Sequence, residues 1–140
     1  MIGDRETTSS KLKGSGTLHI VLVTPEPNHL LELAKLLKKD PQVQIRFAKT
    51  RAEAIKIAST ATPALMILDA QPDDKRIFQL VRDVIMVNAG IPIAVVSDLS
   101  EKEFEAAGEG LGILAQLKPD PGRPEAQMLI AKLKILKTLF

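Results

Sequence analysis

Short apolar segments alternate along the chain with segments in which apolar residues recur at helical spacing. The first apolar segment, Leu18–Val23, is nearly continuous, as in parallel strands that are buried on both faces. In Val43–Ala48 apolar and polar residues alternate, which indicates a strand with one less buried face, as at a sheet edge. Further apolar runs predict strands over residues 64–68, 91–96 and 113–117.

Helical periodicity follows each predicted strand. The first helix is predicted over residues 27–39, because Pro27 suits a first helical turn and an apolar stripe continues from Leu30 to Leu37. The third helix is predicted over about residues 74–88, and the fifth from about residue 124 to the C-terminus.

Two capping boxes predict where the second and fourth helices begin. In Thr50/Glu53 and in Ser100/Glu103, each side chain can satisfy a free backbone N–H group of the other residue. The complete order of elements therefore predicts an α/β domain of the flavodoxin-like (βα)5 class, with a central five-stranded parallel sheet and helices on both faces. This domain is expected over residues 18–140, and the polar segment 1–17 is expected to be a disordered tail.

Composition narrows the classes of function. The net charge is only +2, the basic and acidic residues are interleaved, and the aromatic residues are four Phe, so we expect no contact with nucleic acid. No apolar run approaches the ~18 residues of a membrane helix, and we expect no membrane contact. The absence of cysteine excludes disulfides and thiolate chemistry. Together these features favour a cytoplasmic protein.

Polar residues follow three of the predicted strands. Asp69 follows the third strand, Ser97 the fourth and Lys118 the fifth. In open parallel α/β sheets the functional crevice lies outside the carboxyl ends of the strands. We therefore expect these three residues at one edge of the sheet.

In type, order and spacing, these positions resemble the response-regulator receiver family over residues 18–140. The resemblance implies that Asp69 corresponds to the phosphoacceptor, with Ser97 and the pair Lys118-Pro119 at the other characteristic positions. It implies a role in signal transduction, typically in a two-component phosphorelay. In such sites Mg²⁺ neutralises the negative charge around phosphorus.

The sequence departs from this family at two places. Where the family carries an acidic metal-binding pair after the first strand, the chain reads Thr24-Pro25, and Glu26 is the only acid nearby. Asp69 and Glu26 alone would make a poor magnesium site, so no metal and no cofactor are predicted. Ala115 stands where the family usually has an aromatic switch residue. The chain therefore looks like a degenerate receiver, or pseudo-receiver.

The remaining polar residues receive structural interpretations. We expect Asp69 to pair with Lys118 or to cap the following loop, and Ser97 to cap a helix or bond local backbone. Pro119 is expected to shape its loop, and the resemblance adds that a cis peptide often precedes it. His19 and His29 have no evident acidic partner and are expected to have no catalytic or metal role. Gly108-x-Gly110-x-Gly112 precedes a strand, which indicates a helix cap and turn rather than a phosphate loop.

Three functions fit this pattern, and none of them is enzymatic in the usual sense. The leading hypothesis is a phosphorylation-independent regulatory module that binds a protein partner, such as a kinase or an output domain. The first alternative is an atypical receiver phosphorylated on Asp69, the only case that would need Mg²⁺. The second is a small-ligand-binding flavodoxin-like domain, which the two prolines and Glu26 after the first strand disfavour.

Surplus apolar residues suggest an interaction surface. The fifth helix carries Met128, Ile135 and Leu139 beside its expected core stripe, and the third carries Phe78, Leu80 and Val87. The resemblance implies that a homodimer would form through the face of helix four, strand five and helix five. The pathway, the partner and whether the chain is a fragment of a longer protein stay open.

Overall fold

A computed structural model describes residues 16–70 and 76–139. Five parallel strands form one sheet in the order β2-β1-β3-β4-β5. The strands are β1 (Leu18–Val23), β2 (Val43–Ala48), β3 (Leu65–Asp69), β4 (Ile93–Val96) and β5 (Ala115–Leu117). The predicted (βα)5 fold is confirmed, and β2 lies at the sheet edge, as its alternating pattern predicted.

Each strand is followed by a helix in the described chain. A 3-10 turn (Pro27–Leu30) leads into α1 (Leu31–Leu37), and the others are α2 (Arg51–Thr60), α3 (Ile77–Val87), α4 (Glu101–Ala107) and α5 (Arg123–Leu139). Both predicted capping boxes form, at Thr50/Glu53 and at Ser100/Glu103. These reciprocal bonds fix where α2 and α4 begin.

The helices cover both faces of the sheet. On one face α1 and α5 pack through Leu33, Leu37, Leu129 and Leu133. On the other face α2, α3 and α4 contribute Ile57, Phe78, Val81 and Phe104, among other residues. Alternate residues of β1, β3 and β4 enter the two cores, so these strands are buried on both sides except at the exposed His19, as continuous apolar runs predict.

Several boundaries differ from the prediction for local reasons. The first helix begins as a 3-10 turn because Leu30, with φ −119° and ψ 11°, interrupts α-helical geometry before Leu31. Strand β4 begins at Ile93 instead of residue 91, since Pro92 has no N–H for the ladder. Gly110 and Gly112 adopt positive φ angles of 81° and 67°, which confirms that this glycine run is a turn.

Some predictions fall on residues outside the described ranges. They concern most of the proposed tail at 1–17, the start of the third helix near Asp74, and Phe140. In the described ranges, no helix has the length and apolar character needed to cross a membrane.

Candidate functional site

Three polar residues are buried at the carboxyl edge of the sheet. Thr24 directly follows β1, Asp69 ends β3, and Ser97 directly follows β4; their exposures are 0%, 8% and 5%. They are the only buried polar or charged residues among those that the structure describes. Because β1, β3 and β4 are neighbours in the sheet, the fold brings these residues to one place.

A cavity of about 310 Å³ opens at this edge. It is lined by His29, Asp69, Val96, Ser97, Asp98, Pro119 and Asp120. Glu26, the other acid considered for a metal, is exposed and does not line this cavity. The sequence-predicted residues Asp69, Ser97 and Pro119 thus share one site, whereas Glu26 stays outside it.

Two side chains from the segment that follows β1 contact the Asp69 carboxylate. The Thr24 hydroxyl donates to Asp69 Oδ2 at 2.7 Å, and His29 Nδ1 lies 3.0 Å from the same oxygen. The Asp69 side chain is 6% exposed, while that of His29 is 46% exposed. A buried carboxylate needs such donors to offset the loss of its hydration.

The Thr24 hydroxyl has only one proton, which decides its bonding. Its oxygen lies 2.7 Å from Asp69 Oδ2 and 3.0 Å from the Glu26 carbonyl oxygen, and it accepts the Glu26 N–H at 3.0 Å. We assign the proton to Asp69, because a bond to a carboxylate is shorter and stronger than one to a neutral carbonyl. Thr24 therefore links Asp69 to the backbone of the β1 loop.

The expectation that His29 has no acidic partner is wrong. The 3-10 turn after β1 carries the imidazole over the carboxyl end of β3, where Asp69 lies. No pattern within the sequence pairs these residues, which lie 40 positions apart. The contact depends on how the chain leaves β1, which the prediction of a regular helix from Pro27 did not describe.

Lys118 does not pair with Asp69, so this one of the two interpretations of Asp69 is wrong; most of the loop that Asp69 was alternatively expected to cap lies outside the described ranges. Lys118 Nζ donates to the Leu99 carbonyl oxygen at 2.7 Å, and the described ion pairs do not include it. The same carbonyl accepts Gln116 Nε2 at 2.9 Å, and Gln116 Nε2 also lies 3.1 Å from the Ser97 carbonyl oxygen. Lys118 and Gln116 thus bind the loop between β4 and α4.

Ser97 bonds local backbone, as one of its two interpretations held. Its Oγ accepts the Leu99 N–H at 3.1 Å, while the cap of α4 is Ser100. We call the contacts of Ser97, Leu99, Gln116 and Lys118 the β4–α4 latch. The role of Gln116 was missed, since an isolated glutamine in a strand gives no sequence signal.

The structure also describes Pro119 and Ala115, the other two positions that were compared with the receiver family. The peptide bond before Pro119 is trans, because the described residues contain no cis peptide, so the cis geometry suggested by the resemblance is not found. Ala115 opens the short strand β5 and packs against the core formed with α1 and α5. A single methyl group is too small to act as an aromatic switch.

The arrangement does not fit the magnesium ion of the family. Mg²⁺ requires several oxygen ligands that point at it as acceptors. Here the hydroxyl of Thr24 donates to Asp69, and among the described residues no group of three or more His, Cys, Asp or Glu could hold a metal. The carboxylate is occupied by hydrogen-bond donors where the family mechanism needs a cation.

The comparisons with known proteins give no match by sequence but clear matches by structure. No protein-family model matches the sequence, and no curated protein matches it. A CheY-like receiver domain from Methanospirillum hungatei JF-1 is 14% identical, with a TM-score of 0.74 over 89% of this chain and 99% of that one. The chain has the receiver fold.

Two further solved structures agree. A response regulator from Thermotoga maritima gives a TM-score of 0.73 at 17% identity, over 84% of this chain and 97% of that one. An orphan response regulator of H. pylori gives 0.69 at 16% identity, over 84% and 98%. At such identities the likeness concerns the fold, so the chemistry of the site has to be judged from this chain's own residues.

Proposed function

We propose that this receiver-fold chain is a signal-transduction module that acts by binding a protein partner and does not depend on phosphorylation of Asp69. The observation that carries the proposal is the hydrogen bond from Thr24 to Asp69, at the position where the family binds its metal. Attack on a phosphoryl group by a carboxylate needs a nearby positive charge to offset the repulsion between anions. Thr24 supplies a neutral donor instead.

The position of Lys118 supports the same proposal. A lysine free to move could contact phosphoryl oxygens, but here its ammonium group is bonded to the Leu99 carbonyl oxygen. Moving it to Asp69 would break this bond and leave the carbonyl to Gln116 alone. In the proposed function Asp69 and Lys118 keep these separate contacts, and the function is not enzymatic.

One observation favours phosphorylation of Asp69 as the second candidate. Asp69 and Ser97 line the same open cavity, so a small phosphodonor could reach the carboxylate. The two candidates differ in a direct measurement. Incubation with acetyl phosphate and Mg²⁺, followed by intact mass spectrometry, should leave the mass of the chain unchanged under the leading proposal.

Variants make this measurement specific. Asp69→Asn removes the candidate acceptor, and Asp98→Asn is its matched control, because Asp98 is an exposed acid that lines the same cavity. A gain of one phosphoryl group that persists in the Asp98 variant and disappears in the Asp69 variant would overturn the proposal in favour of the second candidate.

A further inference from the structure

The outer edge of β2 offers main-chain hydrogen-bonding groups that the sheet does not use. The carbonyl oxygens of Gln42 and Ala48 face β1, since they accept the N–H groups of Leu18 and Thr24 at 2.7 and 2.9 Å. Alternation along a strand then turns the N–H and C=O groups of Ile45 and Phe47 outward. Within the described chain these outward groups have no hydrogen-bond partner.

The strands at the two edges of the sheet differ in length. Strand β2 has six residues, whereas β5 at the opposite edge has three, one of which is the latch residue Gln116. An edge of six residues is long enough to pair with another extended segment, and exposed edges are the usual template for such pairing. Strand β2 is therefore the better place for a partner strand.

One face of β2 is polar and only partly covered. His19 pairs with Gln44, and Val21 pairs with Arg46, so His19, Gln44 and Arg46 point to the face on which α2 lies. All three side chains are exposed, and they line a groove of about 420 Å³ beside Ile57, Thr62 and Pro63. Among the described residues no acid lines this groove, and the charged group that lines it is the Arg46 guanidinium.

The other face of β2 is apolar. Ile45 and Phe47 are half-buried and pack against the core that β1 forms with α1 and α5. A strand added beside β2 would lie about 4.8 Å away and would alternate its side chains between the same two faces. Residues beside Gln44 and Arg46 would meet donors and positive charge, and residues between them would meet Ile45 and Phe47.

We propose that β2 is a docking edge for an extended segment of a protein partner in which acidic and apolar residues alternate. This inference rests on the proposed function, since it names a surface through which the module would bind. A second copy of the chain fits less well, because β2 paired with β2 would bring the Arg46 side chains onto one face, where like charges repel.

The proposal is tested by titrating the ¹⁵N-labelled chain with a capped hexapeptide in which glutamate alternates with valine. We expect millimolar probe to shift the amide signals of β2 and His19, and a lysine-for-glutamate probe to leave them unchanged. Arg46→Glu should weaken the glutamate probe about three- to tenfold and allow the lysine probe to bind. Lys102→Glu, the same charge change on the exposed surface of α4, is the control.

Main-chain pairing has its own test. Two isomeric glutamate–valine probes are N-methylated at alternate amides, so that only one isomer keeps the N–H groups that would face β2. One isomer should bind and the other should not. Equal binding of both isomers, or no shift in β2 with any probe, would overturn the proposal.

Other outcomes would also count against this occupant. If Arg46→Glu and Lys102→Glu weakened binding of the glutamate probe equally, the attraction would be a general effect of charge. If the β2 signals shifted with a single-stranded oligonucleotide but not with peptide, the partner would be a nucleic acid instead. Concentration-dependent loss of β2 signals without probe, matched by dimer mass in sedimentation, would assign a second copy. An acyl-phosphate on Asp69 would contradict the proposed function yet leave the peptide titration unchanged. Failure of the proposed function can therefore be told apart from failure of the docking proposal.

Discussion

Thr24 changes the chemistry of Asp69 with a single hydroxyl group. Its oxygen donates to the carboxylate and accepts the Glu26 N–H, so the residue serves both a buried charge and a backbone donor. A carboxylate at this position would instead repel Asp69 unless a cation lay between them. The residue at position 24 therefore decides whether Asp69 accepts a hydrogen bond, as here from Thr24, or shares a cation with a second carboxylate.

Thr24→Val is therefore expected to destabilise the fold. The variant keeps the branched shape but leaves Asp69 short of one donor and the Glu26 N–H without its acceptor, at a cost of about 1–3 kcal/mol in free energy of unfolding. Urea denaturation measures the change. Thr138→Val is the matched control, since Thr138 is exposed near the end of α5, and it should alter stability by no more than about 0.5 kcal/mol. Equal effects would refute the role assigned to Thr24.

At the scale of elements, the contact of α1 with α5 includes one ion pair at its rim. Lys134 Nζ on α5 lies 2.8 Å from Oδ2 of Asp40, a residue that follows α1. The hydrogen bond from Lys134, helped by the Gln42 backbone N–H, lowers the pKa of Asp40 below its ordinary value of 3.8. Lys134 is half-exposed, so solvent screens part of this interaction.

The stability from this pair should depend on pH in one direction. Because the folded-state pKa of Asp40 is lowered, its contribution is present above pH 3.8 and is lost as the pH falls through the lower folded-state pKa. Asp40→Asn should then cost about 0.2–1 kcal/mol near neutral pH and progressively less in acid. Denaturation across a pH series checks this, with Asp98→Asn, an exposed carboxylate, as control. A cost that grows in acid would contradict the assignment.

The β4–α4 latch should control local opening of the loop that precedes α4. Lys118→Met and Gln116→Met keep side-chain length but remove the donors to the Leu99 carbonyl oxygen. Hydrogen exchange at Leu99 and Ser100 should quicken in both variants, and more in the double variant, because less free energy opposes opening. Lys102→Met, on the exposed face of α4, should leave exchange unchanged. Unchanged exchange in the double variant would show that the latch does not restrain this loop.

Periodicity predicted the elements well because each pattern reflects one physical requirement. Continuous apolar runs required β1, β3 and β4 to be buried on both faces, and the capping boxes placed the starts of α2 and α4. The boundaries that failed were set by effects of one residue, such as the missing N–H of Pro92. The apolar residues that were predicted to form an interaction surface fall into two groups. Phe78 and Leu80 of α3 are buried in the core, whereas Ile135 and Leu139 of α5 are 61% and 68% exposed.

For the whole molecule, the fold explains which part of the site could be predicted. Asp69 ends β3, and Ser97 and Lys118 directly follow β4 and β5, so their common edge follows from the order of elements alone. Their hydrogen-bond partners do not follow from it. The contacts of Asp69 with His29 and of Lys118 with Leu99 depend on the paths of two loops, and loop conformation has no periodic signal.

A double variant that restores acids after β1 tests whether the scaffold can still hold a metal. In Thr24→Asp/Pro25→Asp, a new carboxylate replaces the donor 2.7 Å from Asp69. Without a cation the two charges should repel, so the variant should unfold at a lower temperature than the natural chain. Added Mg²⁺ should raise that temperature with concentration, since a ligand bound only by the folded state stabilises it. Thermal unfolding over a Mg²⁺ series measures both effects.

The natural chain and a third variant make that result decisive. The natural chain should keep one unfolding temperature throughout the Mg²⁺ series, because Thr24 presents a proton to Asp69 and the described residues hold no group suited to a metal. Adding Asp69→Asn to the double variant should abolish its response, since Asp69 would be the shared ligand. A natural chain stabilised by Mg²⁺ as strongly as the double variant would mean that Thr24 does not exclude the cation. The module would then have to be treated as a working receiver.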